Sequence, residues 1–487
     1  MRICRNVIRT SFAPFYYRMN AFPSKRGHFF QIAPVFKHLL AAATTALVVI
    51  CSGCQTPEIE EVPFGPENPE RIAQIQGQLE SFLAYWRARG QFYGMTVGVV
   101  KADKLVYKHE TGMTQDRKYA LGSITKIFTA TAVMKLVEEG AVDLDAPLTD
   151  YMEVRIERPE LSSRPVTIRH LLSHTSGMPD LRYFHPELIA SPELPFRIPP
   201  QIVPAGMHYR YSNTGFMILG EMVSRRSGKP MDQFMREEIF EPLEMRQTKT
   251  SQLTGASGVA TTIEDLSHFA MMYLNHGKYG GKTILSEETV NRMLTQPVYY
   301  PPAEFQEYCG LGWRVKRGPK GVVTFFHIGG ADYIAAWLQL FPRYRMAILY
   351  LGDPPKYDDY TMGMLLALQA KLGDLATAYA GADTPLYLFK ATPPPPEVFE
   401  TYPGTYINVL TGREAVVTAK NDVLFFSRAG TYAYPLGTQT NHVFTGGFQD
   451  LSHDFVHEPG TNKLLGIAAY DGYYVRKPPE DTDTPQK

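Results

Sequence analysis

Cysteine is scarce where the chain patterns as folded. Of four cysteines, Cys4, Cys51 and Cys54 precede that region, and Cys309 stands alone within it. A disulfide framework is therefore excluded for the mature fold. Cys51-Ser52-Gly53-Cys54 is spaced as C-x-x-C but lacks the βαβ context of a redox motif. Charge of one sign is missing too: 49 basic and 49 acidic residues balance, and the isoelectric point is about 7.2. The basic excess of a generic nucleic-acid binder is absent, so no nucleic-acid partner is expected. The apolar run from Leu39 to Ile50 falls short of the roughly 20 residues that span a bilayer. No His-Glu-x-x-His and no clustered ligand spacing occurs, so no metal is implied and no cofactor is expected. Gly-x-Ser-x-Gly is missing as well, which removes the nucleophile elbow from consideration.

What is present describes a soluble globular chain. Of 487 residues, 44% are apolar and 20% charged, enough for a large core and roughly three domains. Residues 1–54 read as a secretory leader. Arg18, Lys25, Arg26 and Lys37 precede the apolar run, and Ser-Gly-Cys ends it in the manner of a bacterial lipoprotein signal, with Cys54 as the lipidated residue. Translation starting at Met19 is an alternative to Met1. Export to the periplasm or cell surface with a lipid anchor at Cys54 is thus expected. Residues 55–69 form a polar spacer, and Arg71 to Arg89 patterns as an amphipathic helix. "MTVGVVKADKLVYKHETG" reads as two strands about an Ala-Asp turn. Helical patterns dominate from Asp143 to about Met293. Strand patterns return in "GLGWRVKRG", "GVVTFFHIGG", "YIAAWLQLF" and "RMAILYLGD", followed by a helical "YTMGMLLALQAKLG". Strands at both ends with helices between imply one antiparallel sheet built from both chain ends and covered by helices, an α/β domain over 70–378. A Pro-rich linker at 379–398 contains four consecutive prolines, which favour an extended spacer. Short aromatic and β-branched runs over 399–478 suggest a small antiparallel barrel or sandwich, and 479–487 reads as a tail.

The chemistry starts at "LGSITKIFTATAVMKLVEEG". It patterns as a helix opening at Ser123 and stopping at Gly140, apolar nearly all round. Lys126 is out of place there, because burial and the positive helix end both penalise an ammonium. Residues three apart share a helix face, so Ser123 and Lys126 meet side by side. An amine driven toward neutrality can accept the serine proton, and backbone N–H groups at the helix start can hold an oxyanion. The bland alternative is an N-cap serine beside a lysine that snorkels to solvent.

Ser-x-x-Lys alone is weak, and two further motifs accompany it. Tyr211-Ser212-Asn213 stands just before a helical pattern, and His327-Ile328-Gly329-Gly330 ends a predicted strand. Tyr-x-Asn also occurs at Tyr273, better read as a helix end, and at Tyr406, better read as a barrel strand. Trp313 and Trp337 pattern as core. A triad built on His174 and Ser176 is disfavoured for want of an elbow.

In these three boxes, and in "VTIRHLLSHTSGMPD", "ASGVATTIEDLSHFAMMYLNHGKYGGKTILS" and "GLGW", the chain resembles the serine β-lactamase and D,D-peptidase superfamily. The nearest resemblance is to its class C β-lactamase-like group, which includes esterases and D-aminopeptidases. The likeness runs from about Arg71 to Gly373 and implies that superfamily's sheet-and-helix fold with a helical subdomain. "ETYPGTY" resembles the lipocalin-like β-domains appended to some members. The resemblance implies Ser123 as acylated nucleophile, Lys126 as its proton acceptor and Tyr211 as the phenol that shuttles protons. It further implies Asn213 on the substrate's acyl side chain, the backbone N–H groups of Ser123 and Gly330 as oxyanion hole, and His327, Ile328 and Gly329 along the substrate. Tyr333, just past the third box, is a candidate to line the pocket.

One position departs from the pattern. Ile328 replaces a threonine whose hydroxyl helps bind a substrate carboxylate, a loss worth about 1.5–3 kcal/mol. That disfavours efficient β-lactamase or D,D-carboxypeptidase action and favours small esters, amides or D-amino-acid peptides, the last of them cell-wall derived in one version. Two rivals stand beside this reading: a penicillin-binding sensor that deacylates slowly, and a non-catalytic binding module on the same scaffold.

Overall fold

The computed structural model describes residues 61–112, 117–156, 165–178, 196–198, 204–206, 209–295, 307–317, 323–357, 359–382, 386, 398–408, 412–420, 423–428, 434–438, 443–446, 451–457, 464–469 and 472–477. The leader with Cys54, most of the Pro-rich linker and the tail lie outside them. Among the described residues, no helix is long and apolar enough to cross a membrane.

Helix α1, Pro69–Ala88, opens where Asn68 accepts the Arg71 N–H at 3.0 Å and proline occupies the first turn. Both features favour that position, since the first turn's N–H groups have no helical acceptors. Strands β1 (Gly94–Lys101) and β2 (Lys104–Gly112) follow as a hairpin about the Ala-Asp turn, with Ala102 at φ 54°. Helix α2 spans Thr125–Glu138, α3 spans Asn213–Ser227, and α4 spans Ile263–Leu274. Then come strands β3 (Glu307–Cys309), β4 (Arg314–Arg317), β5 (Val323–Ala331), β6 (Ile334–Phe341) and β7 (Met346–Gly352), and helix α5, Asp359–Ala380.

These strands make one sheet in the order β3-β4-β5-β6-β7-β1-β2. Its N-terminal hairpin joins the C-terminal strands through β1 and β7, with Val97 opposite Tyr350. This is the sheet from both chain ends that the sequence pattern implies. β1 is buried on both faces, which explains its near-continuous apolar sequence. Met95, Val97 and Val99 pack with Leu79 and Leu83 of α1 and with Leu368 and Leu372 of α5. The opposite side packs on α2, α3 and α4 in a larger core. There Phe128 stacks on Phe269 with ring centroids 3.9 Å apart. Trp313 and Trp337 are core residues, as expected.

Strands β8 (Gly404–Asn408), β9 (Glu414–Lys420), β10 (Val423–Arg428), β11 (Tyr434–Thr438), β12 (Val443–Gly446), β13 (Leu451–His457), β14 (Leu464–Ala469) and β15 (Gly472–Arg476) form a closed antiparallel barrel. Of the barrel and sandwich that the short runs permit, the chain forms the barrel. Closure removes the exposed edges that a small sheet would otherwise carry. Its interior holds Tyr402, Tyr406, Phe426 and Tyr474, all buried. The Tyr406 hydroxyl donates to the Tyr402 carbonyl at 2.6 Å.

Candidate active site

The helix start differs from the expected one. A tight 3-10 turn, Gly122–Ile124, precedes α2, and neither segment has a side-chain cap. Ser123 therefore lies inside the turn and is not an N-cap, and its hydroxyl is left to meet Lys126. The turn is held from two sides. Leu121 donates its N–H to the Val259 carbonyl at 2.8 Å, and the Val259 N–H reaches Thr125 Oγ1 at 3.3 Å. On the other side lies β5: a Cβ on Gly329 would overlap the Leu121 carbonyl oxygen, and Gly122 at φ 50° faces the Gly329 backbone. Glycine at 329 lets strand and serine turn touch through bare backbone.

Lys126 is fully buried, so snorkelling to solvent is excluded. Its Nζ lies 3.0 Å from Ser123 Oγ, 2.8 Å from Asn213 Oδ1 and 3.0 Å from the Ala256 carbonyl oxygen. Two of these three partners can only accept. An uncharged amine would give its two N–H groups to Asn213 and Ala256 and turn its lone pair to the serine O–H. After proton transfer, the ammonium would donate to all three. Both ends of the transfer are hydrogen-bonded without movement of heavy atoms. The Tyr211 ring lies 4.9 Å from the same Nζ, which joins the second box to the first.

Ser212 caps α3 by accepting the Gly215 N–H at 3.0 Å, so Asn213 is the first helical residue. In the third box the strand runs to Ala331, so His327-Ile328-Gly329-Gly330 lies at its end as the pattern predicts. Pairing of β4 with β5 stops at Arg314 and Phe326. From His327 onward, that edge of β5 has no strand partner among the described residues, and the Gly122–Ile124 turn packs against β5 there.

His327 is buried, and its Nδ1 sits 2.9 Å from the Ile328 carbonyl, which can only accept. Nδ1 thus carries the proton, and Nε2 has no hydrogen-bond partner among the described residues. Burial, then the neighbouring Lys126, pushes this imidazole down to about 3. Ile328 is half-buried against the core shared with α1 and α5. Tyr333 stands 61% exposed at the β5–β6 turn, with φ 64° and its N–H on the Pro354 carbonyl at 2.8 Å. Its side chain is largely open to solvent. Gly330 packs its Cα face against the Tyr357 ring.

Three participants escaped the sequence reading. The Ala256 carbonyl acts through backbone, and only the Gly-Ala-Ser-Gly run around it hinted at a close approach. Arg314 is buried on β4, 5.1 Å from the Phe326 ring centre, and its charge adds to the factors that keep His327 and His174 neutral. His174, set aside as a triad member, packs its ring 4.5 Å from that of Tyr211. Burial, then Lys126, His327 and Arg314, holds its imidazole well below the ordinary range.

With this geometry in view, the comparisons are specific. The Beta-lactamase family model matches residues 75–371, more than half of the chain. The chain is 23% identical over 399 residues to Penicillin-binding protein 4* of Bacillus subtilis (strain 168), covering 70% of this chain and 84% of that one. It is 24% identical over 349 residues to the D-alanyl-D-alanine-carboxypeptidase/endopeptidase AmpH of Escherichia coli (strain K12), covering 61% and 87%. In fold it is similar to the crystal structure of SurE, with a TM-score of 0.59, 20% identity and coverage of 84% and 99%. A matched family model over most of the sheet-and-helix domain, with its three boxes gathered at one turn, makes the chain a member of the β-lactamase family and a serine hydrolase of that superfamily.

Proposed function

We propose that this hydrolase works through an acyl-enzyme on Ser123 and takes small esters, amides or D-amino-acid peptides. Lys126 accepts the hydroxyl proton as Oγ attacks the substrate carbonyl. The backbone N–H groups of Ser123 and Gly330 receive the oxyanion, and Tyr211 passes a proton to the leaving group and later takes one from the attacking water. The reading rests on the 3.0 Å contact between a fully buried Lys126 Nζ and Ser123 Oγ. Its test is Ser123→Ala against wild type on p-nitrophenyl esters and D-aminoacyl anilides. Equal rates on every substrate would end it.

A second reading, slow-deacylating penicillin binding, draws on the names of the relatives and on the buried Arg314 cation near the third box, which suits a carboxylate-bearing ligand. Mass spectrometry after penicillin exposure separates the two: a persistent adduct supports trapping, and release of opened drug supports turnover. We also assign the chain to the outer face of a bacterial membrane, anchored by lipid on Cys54. Loss of labelled fatty acid in Cys54→Ala tests that assignment, and retained label rules out this attachment point.

A further inference from the structure

The loop "SHTSGM", Ser173 to Met178, lies behind the tyrosine box, and one of its residues grips that box three times. The His174 carbonyl accepts the Arg210 N–H at 2.6 Å. Its Nδ1 accepts the Ser212 N–H at 3.0 Å. Between those two amides stands Tyr211, whose ring the imidazole meets at 4.5 Å between centroids, tilted by 33°. Phe216, 4.9 Å away, and Tyr209, 5.8 Å away, pack against the same imidazole. His174 is 2% exposed and holds φ 56°, a left-handed backbone that side-chain-bearing residues seldom adopt.

We propose that His174 is a positioning residue for the reaction: a neutral imidazole that clasps Tyr211 from both flanks and sets where its phenol and the adjoining Asn213 stand. A backbone N–H can only donate, so Nδ1 must carry a lone pair and the ring proton belongs on Nε2. His327 holds the opposite tautomer, so the two histidines of this site are not interchangeable. Asn213 Oδ1 lies one residue beyond the clasped amide and holds Lys126 at 2.8 Å. A slip of this segment therefore moves the phenol and the lysine's partner together. Displacements of about 1 Å at reacting groups cost on the order of a hundredfold in rate. Burial above all, with Lys126 and Arg314 nearby adding to it, keeps the ring uncharged, as the clasp requires.

The inference rests on the acyl-enzyme reading above, and its test separates the two. Three variants isolate the acceptor. His174→Asn keeps an acceptor near the Nδ1 position and tolerates a positive φ. His174→Gly relieves the backbone but removes acceptor and ring. His174→Leu fills space without accepting. Acylation of Ser123 by a fluorophosphonate probe and steady-state hydrolysis of a p-nitrophenyl ester are measured beside hydrogen exchange of the 209–216 segment. His174→Asn is expected within about threefold of wild type, and His174→Gly about 30- to 100-fold lower in kcat with little change in KM. Exchange should quicken in the Gly and Leu variants alone. Wild-type kcat in His174→Gly, or an Asn variant as slow as Gly, overturns the proposal. Should Gly and Leu fail to fold, the Asn variant decides: near-wild-type kcat supports the clasp, and loss comparable to Ser123→Ala refutes it. A wild-type protein that is never acylated removes the parent reading instead, and unchanged exchange in all variants then removes the clasp too.

Discussion

Replacing Asn213 by aspartate puts the proton-transfer scheme under its severest test. The side chains are nearly isosteric, and Asn213 Oδ1 lies 2.8 Å from Lys126 Nζ in a fully buried setting. A carboxylate at that distance favours the charged lysine by about 6 kcal/mol at an effective dielectric of about 20. The new carboxylate's own burial offsets part of this. Even half, about 3 kcal/mol, makes an ammonium more than a hundredfold harder to deprotonate. A lysine locked as ammonium cannot take the Ser123 proton. The measurement is the second-order rate of fluorophosphonate labelling at neutral pH, with thermal unfolding as the folding control. Asn213→Asp is expected to label at least about a hundredfold more slowly while remaining folded. Asn213→Ala, which loses an acceptor without adding charge, should lose less. If the aspartate variant is folded and labels like wild type, the lysine is not the base.

Further outcomes follow from other parts of the structure. His327 titrates at about 3 and His174 well below the ordinary value, so each binds a proton in the unfolded chain before it does in the folded one. Stability contributed by the neutrality of His327 is complete above about pH 6.5 and declines as pH falls from there toward 3, by about 1.4 kcal/mol per pH unit, and His174 acts in the same direction. Urea midpoints between pH 7 and 4 should show this slope, and His327→Gln should flatten it. Gly329→Ala drives a methyl into the Leu121 carbonyl. It should cost about 1–3 kcal/mol in urea unfolding and at least about a hundredfold in labelling of Ser123. Tyr406→Phe deletes the hydroxyl bound to the Tyr402 carbonyl and should destabilise the barrel by about 1–3 kcal/mol in urea unfolding, with labelling of Ser123 unchanged.

Much of the architecture is written in local pattern. Alternating or continuous apolar runs announced β1, β2 and the C-terminal strands, and the chemistry-bearing boxes announced themselves by residue type. What stayed hidden has physical reasons. The 3-10 turn at Gly122–Ile124 depends on Gly329 and Val259, which are remote in sequence, so local propensity pointed to an N-cap serine. Ala256 contributes a carbonyl, and every residue has one. His174 looked like half of a failed triad because its role is to accept an amide proton, a function with no spacing signature. Arg314 sits on a strand where a basic residue patterns as solvent-facing, and burial came from tertiary packing.

The pairing of β1 with β7 has a consequence for biosynthesis. Val97 leaves the ribosome long before its partner Tyr350, so the middle of the sheet cannot close until most of the hydrolase domain has been made. Ser123 and Lys126 emerge early, but the glycine strand that abuts their turn emerges late. A half-synthesised chain therefore carries the proposed nucleophile with no assembled cleft, and hydrolytic competence arrives only when both ends of the domain have met.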